Sequence, residues 1–145
     1  MTRIAISAVL ILLLPSWTQP TDNVLRFAES METAEKSADG IDQQACREMY
    51  IGRAEIDKRS YIGALNRFKT VVTRFQTSRH VEEAWVRLTE IYLALGIPSE
   101  AQTAAAVLDR KFPNSRWSAA AHDALKAAGL EPAENESSWM SRAVK

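Results

Sequence analysis

Apolar residues between Tyr61 and Leu95 follow one spacing twice. Tyr61, Ala64, Leu65, Phe68, Val71, Val72 and Phe75 fall at offsets 0, 3, 4, 7, 10, 11 and 14. That is a continuous stripe along one face of an α-helix. Val81, Ala84, Trp85, Leu88, Ile91, Tyr92 and Leu95 repeat the same offsets after the polar stretch Gln76–His80. Two matched stripes joined by a short polar link predict an antiparallel helical hairpin. A third helix is expected from Pro98 to Lys111. Proline suits a first turn, Glu100 favours the positive helix start, and Gly96 supplies the stop for the helix before it. Its inward face is read as Ala101, Ala104, Ala105 and Leu108. A fourth helix is expected over about Trp117–Ala128, with Trp117, Ala120, Ala121, Ala124 and Leu125 inward and Gly129 as its end. A weaker one covers Gln44–Asp57, with Met49, Tyr50 and Ile56 as apolar contacts.

The junctions repeat as well. Phe75-Gln76-Thr77-Ser78-Arg79, followed by Ala84 and Leu88, reappears 37 residues on as Phe112-Pro113-Asn114-Ser115-Arg116, followed by Ala121 and Leu125. A period in this range with no strand pattern inside it indicates stacked helical pairs, each hiding only part of its apolar surface until a neighbour stacks on it. The spacing fits the tetratricopeptide pattern. Trp85, Leu88 and Tyr92 hold its large first-helix positions, with Thr89 where glycine is commonest. Ala101 takes the small second-helix position, Ala105 replaces the aromatic, and Pro113 closes the unit. In the preceding unit Gly52 is the small position, Ala64 and Phe68 lie on the second helix, and Gln76 stands where proline would be. The expected fold is therefore all-α: an α-α superhelix of about two tetratricopeptide repeats plus a terminal helix, over residues 45–130. Residues 21–44, broken at Asp39-Gly40, read as a linker or marginal helix, and residues 131–145 as a polar tail. In that tail Trp139 and Met140 are expected to fold back on the array or to anchor a partner.

Composition narrows the function classes. Eighteen Lys and Arg balance eighteen Asp and Glu. This argues against nucleic acid as the main partner, since phosphate binding draws on a surplus of cations. Cys46 is the single cysteine, too few for an internal disulfide or a structural metal site, and reads as a small residue on a helix face. His80 and His122 are isolated and read as surface or interfacial. No zincin, phosphate-loop, nucleophile-elbow or dithiol motif occurs. Glu82 and Glu83 sit at a helix start, where carboxylates favour the dipole. Met31, Met49 and the aromatic stripe read as packing rather than as a cofactor box. Lys58, Arg59, Arg67, Lys69, Arg74 and Arg79 are scattered cations that read as a solvated face, with a contact strip for a partner as the sharper alternative. No catalytic, cofactor or metal site is assigned, and the chain reads as non-enzymatic.

Residues 1–20 resemble an export signal: a short basic start at Arg3, then the apolar run Ile4–Leu14 interrupted only by Ser7. Such a run is too short to span a bilayer as a mature helix. No small-x-small cleavage triplet follows it cleanly, and Cys46 lies too far downstream to be a lipidation cysteine.

From about Arg47 onward the chain resembles the C-terminal portion of BamD-type outer-membrane assembly lipoproteins, particularly the α-proteobacterial kind. The residues carrying the resemblance are Tyr50-Ile51-Gly52-Arg53, Tyr61-Ile62-Gly63-Ala64-Leu65-Asn66-Arg67-Phe68 and Arg79-His80-Val81-Glu82-Glu83-Ala84. Leu95-Gly96-Ile97-Pro98-Ser99-Glu100-Ala101 and the tail Gly129-Leu130-Glu131-Pro132 through Ser138-Trp139 add to it. The resemblance implies a periplasmic repeat adaptor at the inner face of the outer membrane. It implies work with a barrel-forming partner and its accessory lipoproteins to fold and insert outer-membrane proteins, the C-terminal repeats docking onto that partner. Peripheral membrane association goes with that expectation. Family members carry more repeats and a lipidated cysteine after the signal, and the first forty or so residues here carry no resemblance, so a truncated or rearranged paralogue is expected. Two other readings stay open: a periplasmic adaptor coordinating envelope constriction or cell division, and a helical accessory subunit of an envelope enzyme.

Because Trp85 is expected to be buried, Trp85→Ala should cost about 3–5 kcal/mol in chemical denaturation, most of the stability of a short array.

Overall fold

The computed structural model describes residues 22–143. Six helices make up the described residues: α1 Asp22–Asp57, α2 Tyr61–Arg74, α3 Val81–Ala94, α4 Pro98–Lys111, α5 Ser118–Ala127 and α6 Trp139–Ala143. The signal-like segment at residues 1–20 lies outside the described residues. The stretch expected as a linker or marginal helix is helical, and Asp39-Gly40 does not break it. A glycine in a helix interior costs about 1 kcal/mol against alanine, less than the surrounding Ala, Glu, Gln and Met return. Two compact units divide the described chain, up to Ser37 and from Ala38 onward. The described side chains of the first unit are exposed throughout.

The second unit is the all-α repeat array. Helix α3 is its centre: it packs against α2, α4 and α5, while α4 packs against α3, α5 and α6. Trp85, Phe68, Met49, Leu88, Ile91, Leu108, Leu125 and Met140 are its largest fully buried side chains. The matched stripes of α2 and α3 both face this core, with Tyr61, Leu65, Phe75 and Leu95 half-buried at its margin. Two inward readings are corrected. Tyr50 is 72% exposed, because α1 buries Ala45, Met49 and Gly52, and Tyr50 is about 100° around the helix from Met49. Ala120 is exposed on the outer side of α5, whose buried residues are Ala121 and Leu125. Cys46 lies exposed on one face of α1 as a free thiol.

The small position at Gly52 has a steric cause. A Cβ built there would lie 2.6–3.0 Å from the ring atoms of Phe68, so the ring sits directly on the α1 backbone. Thirty-seven residues on, Thr89 and Ala105 occupy the same two positions and both are fully buried. Bulk has moved from the second helix of the pair to the first, and the pair of side chains is smaller overall, so the second unit closes on less volume at this crossing. The Thr89 hydroxyl donates to the carbonyl of Trp85 at 3.1 Å, which satisfies it inside the core.

Two kinds of corner join the helices. Where α1, α3 and α5 end, a residue of positive φ lets the chain reverse: Arg59 at 59°, Gly96 at 70° and Gly129 at 71°. Each carries the paired backbone bonds of a Schellman end, such as Ile97 N–H to the Tyr92 carbonyl at 2.9 Å and Gly96 N–H to the Leu93 carbonyl at 3.0 Å. The second kind precedes α3, α5 and α6 and is built on a serine. Ser78, Ser115 and Ser138 accept the N–H two residues ahead at 3.2, 3.1 and 3.2 Å. Each also donates its hydroxyl to a carboxylate on an earlier helix. Ser115 gives it to Glu82 at 2.6 Å, Ser138 to Glu100 at 2.7 Å, and Ser78 to Asp42. The repeated Phe-x-x-Ser junction is thus a latch between one helical pair and the one before it.

Two outcomes test this packing. Gly52→Ala drives a methyl into the Phe68 ring and should destabilise by about 1–3 kcal/mol, whereas Gly40→Ala meets nothing within 4 Å and should stabilise by up to about 1 kcal/mol. Urea midpoints with opposite signs check it. The Asp42 latch has a pH signature. Hydrogen bonding from Ser78, aided by the Arg79 N–H and charge, holds the Asp42 carboxyl below its ordinary 3.8 against a smaller opposing effect of burial. The ionised form therefore stabilises the fold above that value, and the contribution is lost as pH falls through the depressed one. Asp42→Asn should flatten the acid limb of the stability profile, read as urea midpoints from neutral pH down to about pH 3.

Candidate protein-docking surface

The first helices of successive pairs, α1 and α3, carry the densest charged network. Arg53 on α1 grips Glu83 on α3 with both arms of its guanidinium: Nη2 lies 2.8 and 2.7 Å from the two carboxylate oxygens and Nε 3.2 Å from Oε1. Glu83 is buried to 8% exposure, so this planar, charge-assisted pairing is what makes a carboxylate tolerable there. Arg87, one turn further along α3, reaches Glu83 at 3.4 Å and Glu90 at 2.8 Å. Burial opposes its charge, yet the hydrogen bond and charge of Glu90, with those of Glu83, outweigh it and raise its pKa. Arg53, Ile56, Asp57 and Arg87 line an open groove between the two helices. Its mixed charge suits polypeptide better than phosphate.

The scattered cations do not form one free strip. Arg67 pairs with Glu48 at 3.3 Å, Lys58 with Glu55 at 3.5 Å, and Arg79 with Asp42 at 3.6 Å. Lys69 lies 4.6 Å over the Trp139 ring, while Arg59 holds the positive-φ corner after α1 and Arg74 ends α2, exposed. His80 stands at the N-cap position of α3 without a side-chain capping hydrogen bond, and His122 pairs with Asp109 at 2.7 Å across α4 and α5. Exposed apolar side chains mark other faces: Val24, Phe27 and Met31 share one side of the first unit, and Tyr50, Ile62 and Ile97 stand out from the second. Glu82 and Glu83, expected at a helix start, are there, but their partners Ser115 and Arg53 lie on other elements.

Residues after Gly129 return along the array. Leu130 and Trp139 are half-buried against the core and Met140 is fully buried. The Trp139 indole N–H donates to the Tyr92 hydroxyl at 2.8 Å. Burial raises the Tyr92 pKa, opposed by that hydrogen bond. Of the two expectations for this tail, folding back is what the chain does. Sequence reasoning missed the Arg53–Glu83 pair and the serine latches. The repeated Ser78 and Ser115 were a visible signal for the latches, but their carboxylate partners lie 36 and 33 residues upstream with no local mark.

Among the described residues no three His, Cys, Asp or Glu side chains are grouped to hold a metal ion, and no helix is long and apolar enough to cross a membrane. Comparison with known proteins gives a consistent result. An outer membrane protein assembly factor BamD from Caulobacter vibrioides is 44% identical over 92 residues, 63% of this chain and 30% of that protein. The protein of the same name from Rickettsia prowazekii is 40% identical over 85 residues, 59% of this chain and 34% of its own length. That from Neisseria meningitidis serogroup A is 33% identical over 95 residues, 63% and 36%. The chain thus spans about a third of the length of the curated relatives it matches. No solved structure matches it. The profile of the YfiO outer membrane lipoprotein family matches residues 30–108. It begins within α1, upstream of Arg47 and inside the stretch where no resemblance was expected, and covers α2 and α3 and most of α4. With more than half of its length matched on the helices that build the array, the chain belongs to the YfiO outer membrane lipoprotein family.

Proposed function

We propose that this chain is a non-enzymatic scaffold in the assembly and insertion of β-barrel proteins into the bacterial outer membrane. It works in the periplasm at the inner face of that membrane and docks onto the barrel-forming component beside its accessory lipoproteins. The observation that carries this reading is the family match over residues 30–108, on a helical array whose relatives are named outer membrane protein assembly factors. The geometry supports it. Polypeptide recognition by stacked helical pairs uses broad faces of rigid helices, and the α1–α3 groove offers mixed charges held in place by bidentate pairing.

An affinity-tagged full chain, recovered from envelope extract and analysed by mass spectrometry, should bring down a large β-barrel protein. Recovery of peptidoglycan-synthesis proteins in its place would favour the constriction adaptor. Recovery of neither would sink the scaffold reading.

A further inference from the structure

Helix α4 carries two buried stripes, and only one belongs to the repeat. Ala101, Ala104, Ala105 and Leu108 are the stripe expected of a second repeat helix. Glu100, Thr103, Val107 and Arg110, at offsets 0, 3, 7 and 10, form another, in which Thr103 and Val107 are fully buried. What meets this second stripe is the chain's own end. Glu100 accepts the Ser138 hydroxyl at 2.7 Å, and Thr103 accepts the Asn135 N–H at 3.1 Å. Arg110 clasps Glu134 through two hydrogen bonds of 3.0 and 2.9 Å. Beyond it, the Trp139 indole bridges to Tyr92 on α3 and lies against Lys69 on α2. Gln76, in the junction after α2, reaches the Ala143 carbonyl at 3.4 Å.

We propose that residues 131–143 form a detachable strap, a ligand held in cis over a groove formed by α2, α3 and α4. The groove accepts, in trans, a short polypeptide carrying a serine-capped Trp-Met pair with an acidic residue before it.

Met140 seats in the core, yet three features make the strap separable from the rest of the array. Its hold on α4 is almost all side chain: the single backbone-to-backbone bond, Ala133 N–H to the Gln102 carbonyl, is 3.4 Å long. Its body is solvated, with Glu131 and residues 133–137 exposed and burial concentrated at Ser138, Met140 and Ser141. It also leaves space at its edge: an open cleft of about 260 Å³ is lined by Arg110 of α4 and by Glu134, Glu136 and Ser141 of the segment. Few apolar anchors on an otherwise solvated segment place it at the low-stability end of the molecule, where local opening precedes global unfolding. The chemistry of the occupant is read from the strap itself. Ser138 caps the short helix and seats on Glu100, Met140 fills the apolar site, Trp139 spans Tyr92 and the Lys69 ammonium, and Glu134 answers Arg110. The proposal rests on the fold alone and is independent of the assembly role.

The probe is a fluorescein-labelled synthetic peptide with the sequence of residues 131–145, titrated by anisotropy against the full chain. In the wild type the strap competes, so apparent affinity falls by the fraction of molecules that are open. Trp139→Ala/Met140→Ala in the full chain should bind the peptide at least about tenfold tighter than wild type. Ser138→Ala, a milder release, should fall between them. Adding Arg110→Ala to the double variant should weaken peptide binding again. Circular dichroism should show that both strap variants keep the helical signal and a cooperative melt. Hydrogen exchange on the wild type should find the strap amides opening at least about tenfold faster than those of α3. Equal or no peptide uptake by folded wild type and variants would overturn the proposal. So would loss of helical signal in both strap variants, or strap amides as protected as those of α3, since the segment would then be part of the core.

Discussion

Helix α3 is wrapped by α2, α4 and α5, and nine of its residues are buried, so the array has to accommodate a helix with little free polar face. The apolar side of that requirement is met by Trp85, Leu88 and Ile91. The polar side is harder. Glu83 is buried and charged, and a carboxylate in that position is tolerable only with a donor set that replaces its water. Arg53 supplies it from the previous pair, with both carboxylate oxygens engaged, and Arg87 adds a second cation. The interaction ties α1 to α3 across the stack in one register, because a bidentate fork has a narrower range of acceptable geometries than an apolar contact.

The same logic recurs at lower energy along the array. Each serine before α3, α5 and α6 satisfies a free N–H at the helix start and hands its own hydroxyl to a carboxylate on an earlier helix. A repeat protein is held by nearest-neighbour interfaces, and these latches are the directional part of each interface. The apolar part tolerates exchange of bulk, as Gly52 with Phe68 and Thr89 with Ala105 demonstrate. Register therefore comes from polar geometry, while cohesion comes from volume. Membership of the YfiO outer membrane lipoprotein family fits this division. A stack with fixed register presents fixed faces.

Much of this was legible along the chain. The twin stripes beginning at Tyr61 and Val81 have a helical period, and helical period is a local property. Gly96 and Gly129 mark helix ends for an equally local reason, the positive φ that only glycine adopts freely. Tyr50 and Ala120 were misread because a helix of mixed composition shows which residues are apolar but not which side its neighbours approach from. Gly40 was misread because a breaker signal costs only about 1 kcal/mol, and a long run of good helix formers outweighs it. At the candidate surface, Glu82 and Glu83 were placed correctly at a helix start, but the cations that looked like an open strip turned out to be mostly paired within the chain.

Sequence by itself determined helices α2 to α5, their order, the repeat and the small position at Gly52, since spacing and backbone permissiveness are written residue by residue. Tertiary structure alone decided that Arg53 meets Glu83, that Ser115 meets Glu82, and that the tail lies on the second stripe of α4. Those partners are 30, 33 and 32 residues apart. A contact at that distance depends on how stacked helices are rotated and offset, and that is set by the summed fit of many side chains rather than by any short motif.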